Sequence, residues 1–419
     1  MNISRWLSNP FNLTFWCVAA SFGTYACMYG FRKPFTASSY ETDPFEPGIK
    51  ASLVGAQVLG YMFSKFIGIK VISEMPAERR AIVLLGLIGV AQIALVLFGL
   101  VPPPYNMACL FMNGIPLGMV YGLVLGFLEG RKLTEAFVAG LCASFIFASG
   151  FVKSVGAWLL EKGVTESWMP ATAGMIFLFP LCVFVWMLTQ IPVPTEEDIE
   201  ARAPREPMTN AERWLWIRRH GVGLACIITG FLMITVLRSL RDDFAPELWK
   251  DLGTTGEPSV FARSELLVAL GVTLASALVI YVKDNRRALL TSIFMGIGGF
   301  AIAGLSMVGL KNGMLSGFQF MVIFGFGLYL PYVIVHTTVF ERLIAMTRDK
   351  GNMGYLMYLA DATGYLAYVI LVFFGDIFKP ESSFLANFVA ISWWVVVIGV
   401  LSFLGAAITY GRRQATPTN

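Results

Sequence analysis

The sequence predicts an all-α membrane protein with twelve transmembrane helices in two pseudo-symmetric six-helix bundles. Three observations carry that prediction. The 419 residues are 56% hydrophobic and only 14% charged, with a mean hydropathy of +0.68, whereas a water-soluble chain keeps about a quarter of its residues charged. Twelve stretches reach the roughly 20 mostly apolar residues that a helix needs to cross a bilayer. One polar stretch, residues 191–219, separates the first six from the last six.

The spans are read at 11–37, 51–72, 81–101, 107–128, 136–160 and 170–190, then 220–243, 264–282, 288–310, 316–345, 353–376 and 387–410. The expected organisation is an N-terminal bundle over 1–190, a cytoplasmic linker over 191–219 and a C-terminal bundle over 220–419. Lysine and arginine accumulate in cytoplasmic loops. Eighteen of them fall in alternate loops and the two tails, against six in the opposite loops. That asymmetry predicts a multi-pass protein of the cell (inner) membrane with both termini cytoplasmic. The N-terminus, "MNISRWLSNPFN", lacks a short apolar core with a small-residue cleavage site, so the first apolar run is read as a span. The net charge of +4 says little here, and no nucleic-acid partner is expected. All six cysteines lie in apolar runs with no CxxC, as buried thiols do, so neither a disulfide framework nor a metal site is indicated.

Six plus six spans about a cytoplasmic linker resembles the major facilitator superfamily. In that architecture the substrate sits between the halves near the midplane. The resemblance implies that spans 1, 4, 7 and 10 line the cavity. A monomer is expected.

Charges left inside the bilayer mark candidate function, since a lysine or arginine at a span centre costs about 2.5–3.5 kcal/mol. Seven of the 31 cations lie in or at the edges of spans: Arg32, Lys33, Lys65, Lys70, Lys153, Arg238 and Arg241. Lys33, Lys70 and Arg241 lie near span ends, where a long side chain can reach the interface. Arg32 and Arg238 occupy matching positions in spans 1 and 7, which predicts similar depths on opposite walls. A guanidinium fork holds two oxygens of one phosphate, so two facing forks without a carboxylate make a dianion receptor. The alternative is that each meets a backbone carbonyl or snorkels outward.

Tyr25, Tyr29 and Arg32 share a helix face by their spacing of four and three, and Tyr61 and Lys65 are four apart. Phenolic hydroxyls beside a cation suit phosphate or sugar oxygens; plain aromatic packing is the other reading. Asp361, in "YLADATGYLAY", is the clearest carboxylate within a span, at nearly the depth of Lys65. A Lys65–Asp361 ion pair that helps the halves close is expected, with proton binding at Asp361 as the competing role. Lys153 is either a third anion contact or a lipid-facing snorkeller. His336 titrates, ligates or bridges helices. The glycine runs "GIGGFAIAG" and "GFGLYLP" suit close helix packing. With no phosphate loop of the GxxxxGK[ST] type and only two histidines, neither an enzyme nor a cofactor nor a metal is expected.

Five passages resemble the organophosphate:phosphate antiporter family, whose members carry glycerol phosphate and hexose phosphates. They are "YACMYGFRKPF", "YMFSKF", "VLRSLRDDFAPELW", "GLYLPYVIVHTTVFE" and "ADATGYLAY". The resemblance implies that Arg32 and Arg238 bind phosphate, with Lys65, Tyr25, Tyr29, Tyr61 and His336 around it. It also implies that an organic phosphate exchanges for inorganic phosphate as the halves rock. Ser144 stands where that family carries a span 5 histidine, with Lys153 further on, and His336 is displaced by two positions. Two further readings stay open. One is proton-coupled transport of another organic anion, a carboxylate or phosphonate, with Asp361 or His336 titrating; the other is a sensor that binds a phosphate ester without moving it.

Overall fold

Large apolar side chains cover much of the outside of this chain as well as filling its core, and several charged side chains are buried. In the computed structural model Phe11, Phe179 and Phe374 are 79%, 78% and 83% exposed, whereas Arg32, Lys65, Lys153, Arg238, Arg241 and Asp242 are buried. Hydrocarbon solvates the first group, and only protein can solvate the second. The structure describes residues 6–40, 49–73, 75–128, 134–193, 196, 210–254, 257–347, 353–374 and 383–412.

Twelve long helices follow one another among the described residues. The first six are α1 (Pro10–Tyr29), α2 (Ile49–Ser73), α3 (Arg80–Leu100), α4 (Asn106–Leu128), α5 (Thr134–Glu161) and α6 (Met169–Thr189). The second six are α7 (Asn210–Asp243), α8 (Ser259–Ala277), α9 (Asn285–Lys311), α10 (Gly317–Thr347), α11 (Met353–Phe374) and α12 (Phe384–Arg412). Nine of them are long and apolar enough in their described residues to cross a membrane; the other three are α1, α2 and α11. Those three carry Tyr25, Lys65 and Asp361, which line the cavity described below. Asn9 caps α1 by accepting from Phe11 N at 2.9 Å, with Pro10 in the first turn where its missing N–H does no harm. A Ser316/Gln319 capping box opens α10.

The packing repeats between halves. α1 lies against α4, α5 and α6, α2 against α4, and α3 against α4 and α6; correspondingly α7 lies against α10, α11 and α12, and α8 and α9 against α10. The halves meet where α2 packs on α11 and α5 packs on α8, contacts that a two-fold axis between the bundles would exchange.

Two differences from the expected spans matter. α1 stops at Tyr29 rather than running to 37, and a 3₁₀ turn, Pro34–Ala37, follows it. α7 begins at Asn210, inside the stretch read as linker; most of the remainder of that linker lies outside the described residues.

Glycine sets the separation of α2 and α4. A Cβ on Gly114 would sit 2.2 Å from the Gln57 carbonyl oxygen, and one on Gly60 would sit 2.1 Å from that of Phe111. Both obstacles are backbone, so neither can swing aside. Gly299 and Gly327 serve the same purpose between α9 and α10, each Cβ falling 2.7 Å from the other residue's carbonyl oxygen. Gly114→Val is expected to destabilise the fold by about 1–3 kcal/mol as overpacking does and to displace Tyr61 and Lys65 with α2. A lowered melting temperature in detergent would report it; an unchanged one would mean the crossing has slack.

Candidate functional site

The end of α1 is a braced turn. The amides of Arg32 and Lys33 both donate to the Tyr29 carbonyl, at 3.0 and 2.9 Å. The carbonyls of Phe31 and Arg32 then need other donors. Asn113 Nδ2 donates to Phe31 O at 3.1 Å and Gln57 Nε2 donates to Arg32 O at 2.9 Å, while Gln57 also donates to Asn113 Oδ1 at 2.7 Å. Gly30 and Pro34 bracket the turn, and Pro34 cannot continue an α-helix by donating an amide. Arg32 therefore leaves a rigid corner held by α2 and α4, rather than the face of an unbroken helix.

A narrow cavity lies between the halves. The first half contributes Tyr25 and Tyr29 of α1, Tyr61 and Lys65 of α2, Tyr121 of α4 and Phe145 of α5. The second contributes Tyr332 and His336 of α10 and Asp361 and Tyr365 of α11. Its volume is about 20 Å³, room for a water and little more. Helices must part before any larger molecule could enter.

Arg32 and Arg238 do not face this space directly; they stand behind its tyrosines. The Arg32 guanidinium carbon is 3.9 Å from the Tyr61 ring centroid, and that of Arg238 is 4.5 Å from the Tyr332 centroid. Both lie within electrostatic reach of Tyr29 and Tyr365, so they serve one site from two halves. Neither forms an ion pair among the described residues, and the buried Nε of each has no hydrogen-bond acceptor. Cation–π contact offsets part of their desolvation, about 0.5–2 kcal/mol each; Arg238 Nη2 also donates to Ser239 Oγ at 3.4 Å. Neither the backbone-carbonyl nor the snorkelling alternative describes their side chains.

Lys65 Nζ lies 3.3 Å from Asp361 Oδ2 and joins α2 to α11 across the halves. His336 sits in a π turn, Val335–Val339, and its Nε2 is 3.5 Å from Asp361 Oδ1. Within the site, Arg32, Arg238 and Lys65 are opposed by one carboxylate, Asp361, among the described residues. The excess is positive.

Three of the cations read from the sequence belong elsewhere. Lys153 is neither an anion contact nor lipid-facing: its ammonium donates to the Asp242 carboxylate and, at 2.7 Å, to the Asp242 carbonyl. Lys33 does not snorkel; it is buried with Asp242 Oδ2 at 2.6 Å and Asp243 Oδ1 at 2.5 Å. Arg241 is buried as well, 2.8 Å from Glu265 Oε1 on α8. The Lys70 side chain lies outside the described residues. Lys50, at the start of α2, contacts Glu247 Oε1 at 2.7 Å in the short helix Ala245–Asp251 that follows α7. Tyr368 donates to Asp243 Oδ2 at 2.9 Å, and Ser149 donates to Asp242. Lys33, Lys50 and Lys153 of the first half thus meet Asp242, Asp243 and Glu247 of the second. They form a buried latch at the end where α1 and α7 finish.

The sequence reading passed over Tyr121, Phe145, Tyr332 and Tyr365 in the cavity, and Asp242 and Asp243 in the latch. Tyr332 and Tyr365 stand one helical turn from His336 and Asp361, so the i, i+4 rule applied to those two would have found them.

A family model described as a family of unknown function, DUF5690, matches residues 34–413. The chain belongs to that family. A search of curated proteins finds no match. Among solved structures this DUF5690 protein is similar to the nucleoside transporter NupG, with 13% identity over 94% of this chain and 99% of that one, at a TM-score of 0.62. It is similar also to a D-xylose-proton symporter, with 15% identity over 94% and 97% of the two chains at a TM-score of 0.61. The POT family transporter PepTSo gives 14% identity, 96% and 97% coverage and a TM-score of 0.60. The fold is therefore the twelve-helix major facilitator fold. None of these comparisons places the chain among the organophosphate:phosphate antiporters.

Proposed function

We propose that this DUF5690 protein is a secondary transporter of small organic anions, exchanging a phosphorylated metabolite for inorganic phosphate by alternating access. One observation carries the reading: Arg32 and Arg238, one from each half, are buried beside a shared cavity without a carboxylate partner among the described residues. Burying an unpaired guanidinium is costly. An anion reached by both forks would offset that cost, and tyrosine hydroxyls suit the remaining oxygens of a phosphate ester. The halves, 1–190 and 220–419 joined by 191–219, would rock about the cavity in the inner membrane with both termini cytoplasmic. The latch would part to open one side and the Lys65–Asp361 contact to open the other. Exchange rather than free flux follows if the excess positive charge makes passage without an anion slow.

The test is purified protein in vesicles loaded with labelled phosphate. Phosphate added outside should stimulate exit of the label, and a panel of phosphate esters should then name the organic substrate. Absence of stimulated exit from folded protein would overturn the reading and favour binding without flux.

A further inference from the structure

We propose that the organic substrate of this cavity is a phosphate monoester of a flat, unsaturated ring, and that the ring inserts between the aromatic side chains where the two halves meet. The proposal rests on the reading of the cavity as a phosphate-ester transport site.

Rings make most of the walls. Seven of the ten described lining residues are tyrosine or phenylalanine, and six of the chain's fourteen tyrosines are among them. No asparagine, glutamine, serine or threonine is among the described lining residues. The other three already contact protein: Lys65 lies 3.3 Å from Asp361, and His336 Nδ1 lies 3.1 Å from the Tyr332 carbonyl oxygen. A polyol needs a partner for each hydroxyl it withdraws from water, and an unmatched one weakens binding. A flat unsaturated ring needs only faces and edges to pack against.

Two of the ring contacts cross the seam between the halves. Tyr61 of α2 meets Tyr365 of α11 with 5.3 Å between centroids and 67° between planes, and Phe145 of α5 meets Tyr332 of α10 at 5.8 Å and 85°. Both are edge-to-face, an arrangement the aromatic quadrupole favours. The cavity has room for little more than a water, so a larger ligand enters only as the halves part, and parting them here breaks both contacts. A flat ring in the gap offers a face or an edge to either side and replaces the lost contacts with ones of the same kind. A saturated ring of similar size fills the gap but has no quadrupole to offer.

The arginines set where such a ring lies. Arg32 stacks on Tyr61 and Arg238 on Tyr332, so each guanidinium stands behind one member of a seam pair. A phosphate that reaches the two forks holds the group it esterifies beside those same tyrosines. Phenolic hydroxyls then serve phosphate oxygens, and ring faces serve the organic part.

Phenyl phosphate and cyclohexyl phosphate test the ring itself, because they differ in flatness and π character more than in size. They are compared at about pH 8, where both are dianions. In vesicles loaded with labelled phosphate, external phenyl phosphate should half-maximally stimulate exit at about tenfold lower concentration than cyclohexyl phosphate or glucose 6-phosphate. In detergent it should raise the melting temperature more than either does at equal concentration. Tyr365→Phe, which keeps the ring, should retain the preference for phenyl over cyclohexyl phosphate, and Tyr365→Leu should reduce it to about twofold or less. A preference left intact in Tyr365→Leu overturns the placement of the ring at the seam. If that variant does not fold, the native chain decides with the matched pair alone. Phosphate exchange with equal responses to phenyl and cyclohexyl phosphate, or a stronger response to glucose 6-phosphate, overturns the proposal and leaves the transport reading standing. No exchange, with greater stabilisation by phenyl than by cyclohexyl phosphate, overturns the transport reading and leaves the ring site standing. No exchange and no selective stabilisation overturn both.

Discussion

Alanine at Arg238, and equally at Arg32, is expected to lower trans-stimulated phosphate exit by about 100-fold or more. Removing one partner of a buried, hydrogen-bonded charge pair costs about 2–5 kcal/mol, and each 1.4 kcal/mol is tenfold. The second half of the expectation separates a ligand site from a structural one. Neither guanidinium has a protein counter-ion among the described residues, and each Nε is without an acceptor. Deleting a structural ion pair lowers stability, but deleting an uncompensated buried cation should leave the melting temperature unchanged or raise it. Arg238→Met, which keeps much of the volume against Tyr332, is the cleaner version for stability. Arg238→Lys should recover only part of the transport, because an ammonium cannot present two parallel donors. Full exchange in both alanine variants, measured in vesicles at matched protein density, would remove the two arginines from the site.

Asp242→Asn is the second large effect, and it should open the far end of the protein. Asp242 receives Lys33 at 2.6 Å and Lys153 on its other oxygen, all buried. Neutralising it leaves Lys33 with Asp243 alone and takes from Lys153 the carboxylate it holds, and breaking one buried pair by removing a partner costs about 3–5 kcal/mol. That loss falls on the conformation in which the latch is closed. Ala37, 9% exposed in the 3₁₀ turn after α1, is a suitable reporter as Ala37→Cys in a cysteine-free background. A membrane-impermeant maleimide should label it slowly with Asp242 present and many-fold faster in Asp242→Asn. Adding Lys153→Met, which removes one of the stranded cations, should slow the labelling again. Equal labelling rates throughout would show that the lysine–aspartate cluster does not hold that end shut.

The helices were legible because a hydrocarbon surround imposes a local rule. Each span must be apolar for about 20 residues, so α3, α6 and α9 can be read from neighbouring residues alone. The end of α1 was not legible to the residue. "YACMYGFRKPF" is apolar enough to suggest a longer helix, and the turn at Gly30 persists because Gln57 and Asn113 on other helices take the freed carbonyls. The depth argument placed Lys65 and Asp361 opposite each other because helix rise converts residue count to height. The same argument misassigned Lys33 and Arg241, since height says nothing about what stands alongside. Lys33 has no acid near it in sequence; its partners are Asp242 and Asp243, more than 200 residues away.

What the sequence by itself determined is the class of the protein, the number of its spans and the shortlist of charges too costly to bury without purpose. Those follow from transfer free energy, which each segment carries on its own. Only the tertiary structure decided how those charges divide. Among the described residues Arg32 and Arg238 stand without a carboxylate partner behind a tyrosine-walled cavity, while Lys33, Lys50 and Lys153 are consumed by the acids of the opposite half. Coulomb energy depends on distance between side chains, and in a two-bundle protein the distances that matter are set by how the halves meet.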